Sequence, residues 1–150
     1  MRSTWWFAIP VVALVAASAW YMQAPPRTVG SYRDRAASTT EALRSQVQTA
    51  RLWVGALEDG EATRQAASVA FRETDADAEA ALSRFAGYTP PGGTEELRSA
   101  VTAVGQEVSA ALAMLKIAAD RGEWDDLPRL ADPLAPLARR LQTLERAAER

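Results

Sequence analysis

The stretch "LRSAVTAVGQEVSAALAMLKIA", residues 97–118, decides the fold of this chain. Its apolar positions fall at Leu97, Val101, Val104, Val108, Ala111, Leu115 and Ala118, in alternating steps of four and three. That spacing lines one side of an α-helix, whereas a strand would alternate every second residue. A one-sided helix cannot bury its seam alone, so the stretch asks for partners of the same kind.

Three further segments supply them. The first carries Ala36, Thr40, Leu43, Val47, Ala50, Val54 and Leu57, the second Ala67, Phe71, Thr74, Ala78, Ala81 and Phe85. The last carries Leu127, Leu130, Leu134, Leu137, Leu141, Leu144 and Ala148. Four inward-facing seams predict an all-α fold, a four-helix bundle over residues 31–150. Breaks at Asp59-Gly60 and near Gly122 are short, which predicts antiparallel neighbours in up-down-up-down order. Ser31 with Asp34 resembles a capping box, Thr94 is the expected N-cap of the third helix, and Gly122 its C′ residue. Asp132-Pro133 is expected to act as a fresh N-cap and N1 within the proline-rich start of the last segment.

Upstream lies "TWWFAIPVVALVAASAWYM", residues 4–22, without a single charge. As a helix its 19 residues would extend about 28 Å, close to the thickness of a bilayer's hydrocarbon core. Trp5, Trp6 and Phe7 at one end and Trp20 and Tyr21 at the other suit the two interfaces. The expectation is a retained transmembrane anchor over residues 1–22 and a linker over 23–30. The competing reading is a cleaved signal peptide, cut at Ala17-Ser18-Ala19, which would release a secreted protein. The bundle is expected outside the cytoplasm, periplasmic or extracellular, on a chain held in the inner membrane.

Composition excludes several kinds of chemistry. There is no Cys and no His, which removes thiolate nucleophiles, disulfides, most zinc sites and the commonest general base. The 17 basic and 19 acidic residues nearly balance, unlike a nucleic-acid binder. No phosphate loop or metal-binding helix motif occurs. The acidic run "ETDADAEA", residues 73–80, fails as a calcium loop, since Ala78 and Arg84 stand where Gly and Glu are required. Its like-charge pairs, Glu73 with Asp77 and Asp75 with Glu79, read as a solvated face relieved by arginines, with a strip for a basic partner as the alternative. Met114 reads as core packing. No enzyme, metal site or cofactor is expected.

Up-down-up-down topology sorts the charges by end. The tip distal to the anchor gathers Glu58, Asp59, Glu61, Asp120, Glu123, Asp125 and Asp126 around Trp124, with Arg121 the only base assigned there. The near end holds Arg27, Arg33, Arg35, Arg84, Arg98, Arg146 and Arg150 against fewer acids. The acidic tip fits a basic soluble partner, and the near end fits anionic headgroups of the lipid bilayer. The expectation is an accessory or scaffold subunit bound to other subunits of a membrane complex. The alternative is a ligand-sensing or substrate-binding bundle acting through a partner protein.

Overall fold

The computed structural model describes residues 28–149, and among them every regular element is helical. The order is α1 (Val29–Glu58), α2 (Arg64–Ala86), α3 (Glu95–Arg121), a 3₁₀ turn (Trp124–Asp126), α4 (Leu127–Ala131) and α5 (Leu134–Ala148). Together α4 and α5 make the fourth long element. The expected anchor, with Trp5, Trp6, Phe7, Trp20 and Tyr21, lies outside the described residues.

Side-chain pairs across the seams give the direction of each helix. Tyr32 stacks near Phe85, Arg44 pairs with Glu145, Arg72 with Asp120, and Arg140 with Glu107. Gln46 with Asp77 adds a second pair between α1 and α2, and Lys116 with Asp75 a second between α3 and α2; in both interfaces rising numbers on one helix meet falling numbers on the other, so these neighbours run antiparallel. The four-and-three seams are the buried surfaces. Leu43, Val47, Val54, Phe71, Val108, Leu115, Leu134 and Leu141 meet in one continuous core. A smaller apolar cluster of Tyr32, Ala36, Phe85, Val101 and Ala148 closes the end where residue 28 enters. Each buried Leu, Val or Phe contributes about 1.5–3 kcal/mol, which makes the core the main source of stability.

The helix ends refine several expectations. Helix α1 begins at Val29, two residues before the start expected at Ser31, and residues 23–27 of the expected linker lie outside the described residues. Its capping box joins Thr28 and Ser31, not Ser31 and Asp34: Ser31 N donates to Thr28 Oγ1 at 3.2 Å and Thr28 N to Ser31 Oγ at 3.3 Å. At the other end, α1 and α3 close alike. Gly60 and Gly122 take positive φ of 72° and 76°, and the next residue's N–H reaches back to Ala56 O at 2.8 Å and Ala118 O at 2.9 Å. These are Schellman closures, which want glycine at the left-handed position.

Two expected caps make other bonds. Thr94 does precede α3, but its buried hydroxyl donates back to Pro91 O at 2.7 Å, while Glu95 accepts from Gly93 N at 2.8 Å. Asp132 does not cap α5. The N-cap is Pro133, one residue later, and the expected break does divide a short helix, α4, from a long one, α5, with both intervening residues in the right-handed helical region.

One described helix, α3, is long and apolar enough to cross a membrane, and it lies mid-chain, not at the N-terminus. Here its seam is packed into the core by Val101, Val104, Val108, Leu112 and Leu115. Its Glu107 and Lys116 pair with residues of α5 and α2. Those contacts are what a central core helix makes.

Candidate functional site

The residues expected at the tip do share one end of the molecule. Glu58 closes α1, Asp59 and Glu61 flank Gly60, Asp120 is in the last turn of α3, and Glu123 to Asp126 follow it. A recess of about 310 Å³ joins the α1 terminus to the start of the fourth element, with Glu58 and Asp125 on its rim and Val54, Leu57, Trp124 and Leu127 as its walls.

Trp124 is half-buried and packs onto the core, with the Arg64 guanidinium 5.7 Å from its ring centre. That distance is within the range of a cation–π contact. The tip is less one-sided than its sequence suggests. Arg72 donates to Asp120 Oδ1 at 2.6 and 3.1 Å, and Arg129 to Asp126 at 2.8 Å. Thus Arg64, Arg72 and Arg129 join Arg121 as bases, because the first three turns of α2 and the first turn of α4 pack beside the acids. Glu58, Asp59, Glu61, Glu123 and Asp125 keep exposed carboxylates without an ion pair among the described residues. A surface pair contributes little to stability, so the two formed pairs hold geometry more than energy.

The acidic run of α2 behaves differently from the expected solvated face. Glu73, Asp77 and Glu79 are exposed, but Asp75 is buried between α2 and α3. Its partner is Lys116, the one lysine of the chain. Their side chains are 4% and 32% exposed, so the carboxylate is dry and the ammonium partly wet. Asp75 Oδ1 is buried without a hydrogen bond. The Lys116 ammonium is pushed above the usual lysine range, first by the Asp75 hydrogen bond and then by the charges of Asp75, Glu79 and Asp120, against the opposing effect of burial.

Met114 is also placed otherwise than expected. It is half exposed and lines a groove of about 570 Å³ between α3 and the fourth element, with Ala110, Ala111, Leu130, Pro133 and Leu137. Pro133 and Pro136 line it from the fourth element, and the short side chains of Ala110 and Ala111 line it from α3. Glu107 and Arg140 bridge the groove, holding the Glu107 carboxyl below its ordinary value through the Arg140 hydrogen bond. Trp53 flanks the core edge as its position implies. No cluster of three or more acidic ligands capable of holding a metal occurs among the described residues.

The class defined by these observations is an all-helical protein of four long elements, carrying an amphipathic acidic tip and apolar grooves between α3 and the fourth element. No protein-family model, curated protein or solved structure matches it.

Proposed function

We propose that this chain is a non-enzymatic, single-pass membrane protein that serves as an accessory or scaffold subunit of a larger membrane complex. Residues 4–22 are its anchor, and an up-down-up-down bundle stands outside the cytoplasm with the Trp124 tip farthest from the bilayer. The observation that carries the reading is the segregation of groups along the rod. Glu58 and Asp125 line the Trp124 recess beside Arg64, the exposed carboxylates of Asp59, Glu61 and Glu123 lie at the same end, and Thr28, downstream of the uncharged 19-residue segment, lies at the other. An apolar wall with an aromatic ring and an acidic rim suits a basic partner segment, since Trp anchors contacts and rim charge speeds and orients encounter.

The test uses tagged full-length protein from native membranes. Carbonate extraction should leave it in the membrane fraction, and mild detergent should co-purify defined membrane subunits. The double variant Glu58→Lys/Asp125→Lys should keep the membrane association and lose a tip-bound partner. Recovery of a soluble chain beginning at Trp20, or a monomer free of partners, would overturn the reading.

The α3 groove favours a second reading, a ligand-binding bundle working through a partner. Its volume of about 570 Å³ falls within the 300–1,000 Å³ usual for small-molecule sites, and its walls are mostly apolar. A thermal-shift screen of small apolar acids and amides against wild type and Ala110→Trp separates the two. Hits abolished by the tryptophan support the groove, and an absence of hits removes it.

A further inference from the structure

We infer that a recess between α1 and α2, at the end where the chain enters, binds a phosphate-class oxyanion. Its volume is about 250 Å³, and Arg35, Ser38, Thr39, Arg84 and Tyr88 are its polar walls. No carboxylate lines it. In a chain with more acids than bases, a concavity walled by two guanidinium groups and three hydroxyls is an unusual local composition.

Local structure explains how the groups converge. Arg35 and Thr39 are successive turns of one α1 face, and Arg84 stands in the last turn of α2, which runs the opposite way. Tyr88 follows α2 and is held by Arg98, whose guanidinium donates to the carbonyls of Tyr88 and Ala86 at 3.2 and 3.4 Å. The Arg35 guanidinium lies 5.6 Å from the Tyr88 ring centre, which places its positive charge at the recess. Thr39 spends its proton on Arg35 O at 2.8 Å, so Ser38 and Tyr88 are the lining residues whose hydroxyl protons a ligand could take.

Arg84 is exposed and makes no ion pair with any described residue. Its planar fork offers two parallel N–H donors, the geometry that tetrahedral oxyanions accept. The site itself needs only the recess. That its phosphate belongs to a lipid headgroup rests on the anchored reading above, which sets this end against the bilayer. Arg35 lies seven residues along α1 from Thr28, about 10 Å of helical rise.

The test titrates the full-length protein in neutral maltoside micelles and follows backbone amide shifts of residues 35–42 and 81–88. The probes are inorganic phosphate, dihexanoylphosphatidic acid and, as a zwitterionic control, dihexanoylphosphatidylcholine. Saturable shifts confined to the recess are expected with phosphate, phosphatidic acid or both. Arg84→Gln should weaken binding about tenfold and Arg84→Lys less, because the lysine keeps charge but loses the fork. Arg51→Gln, which removes one exposed charge from the far half of α1, should change it less than about twofold. Binding of phosphatidic acid alone assigns the site to a headgroup, and binding of phosphate as well assigns it to soluble phosphate esters too. Shifts that are absent, or equal losses in Arg84→Gln and Arg51→Gln, overturn the inference. Failure of carbonate extraction leaves the inorganic phosphate arm untouched, so the two readings fail separately.

Discussion

Replacing Lys116 by Met should damage this protein far more than replacing its partner Asp75 by Leu. Both changes remove the same ion pair, so contact counting would make them equal. Burial makes them unequal. Asp75 is 4% exposed, and one of its oxygens already lacks a donor. Without Lys116 a bare carboxylate remains in the α2–α3 seam. Loss of one partner from a buried pair costs about 3–5 kcal/mol, and the 32% exposure of Lys116 lets water approach, lowering the expected loss to about 2–3 kcal/mol. In the opposite variant the lysine chain swings its ammonium into water, and leucine fills the space, for a loss of about 1 kcal/mol or less. The double variant Asp75→Leu/Lys116→Met should come within about 1 kcal/mol of wild type. At about 2–4 °C per kcal/mol, Lys116→Met should melt about 5–10 °C early. Circular dichroism melts and urea titrations of the four proteins in one detergent give the full cycle. Equal losses in the single variants, or a double variant no better than Lys116→Met, would refute the reasoning.

Three other outcomes follow from particular contacts. At Gly105, an added Cβ would stand 2.3 Å from Leu82 Cδ2, the end of a half-buried side chain that can turn aside, so Gly105→Ala should change stability by less than about 1 kcal/mol, the rotamer shift offsetting the gain in helix propensity, and urea midpoints check it. Gly122→Ala places a side chain at φ 76° and should cost about 1–2 kcal/mol, with Gly122→Asn milder, as judged by melting temperature. Stability should also fall at both pH extremes. Lys116 and the buried Tyr32 both have raised pKa values, so the unfolded chain releases those protons first and stability declines once pH rises past about 10. Glu107 has a lowered value, so its contribution is full above pH 4.5 and fades as pH drops, and Glu107→Gln should flatten the acid limb of a urea-midpoint profile.

Much of this architecture was legible in the chain because periodicity is a local property. Every residue of the second seam, Ala67 to Phe85, is buried as its spacing implies. The first seam gains Tyr32 at its start while Leu57 is only half-buried, and the third gains Gly105, Leu112 and Ala119 while Leu97 and Ala111 are only half-buried. The glycine closures at 60 and 122 were equally visible, since a left-handed residue after a helix is a backbone requirement. The capping threonines were less so. Thr28, Thr63 and Thr94 all stand at helix starts, yet the first two bond the helix and the third bonds the turn behind it.

By itself the sequence determined that four apolar faces must be covered, that they are helical, and that acids collect at one set of turns. Only the tertiary structure decided which residues beside each seam are covered. Asp75 stands one position from Thr74, about 100° around α2, and whether it meets water or Lys116 depends on where α3 lies. Met114 stands likewise beside Leu115, but it opens onto the groove between α3 and the fourth element and is half exposed. Arg64, Arg72 and Arg129 reach the acidic tip because antiparallel packing brings the starts of α2 and α4 beside the ends of α1 and α3. A repeat of 3.6 residues says which side of a helix is apolar, but the angle at which a neighbour packs against that side is set by the neighbour.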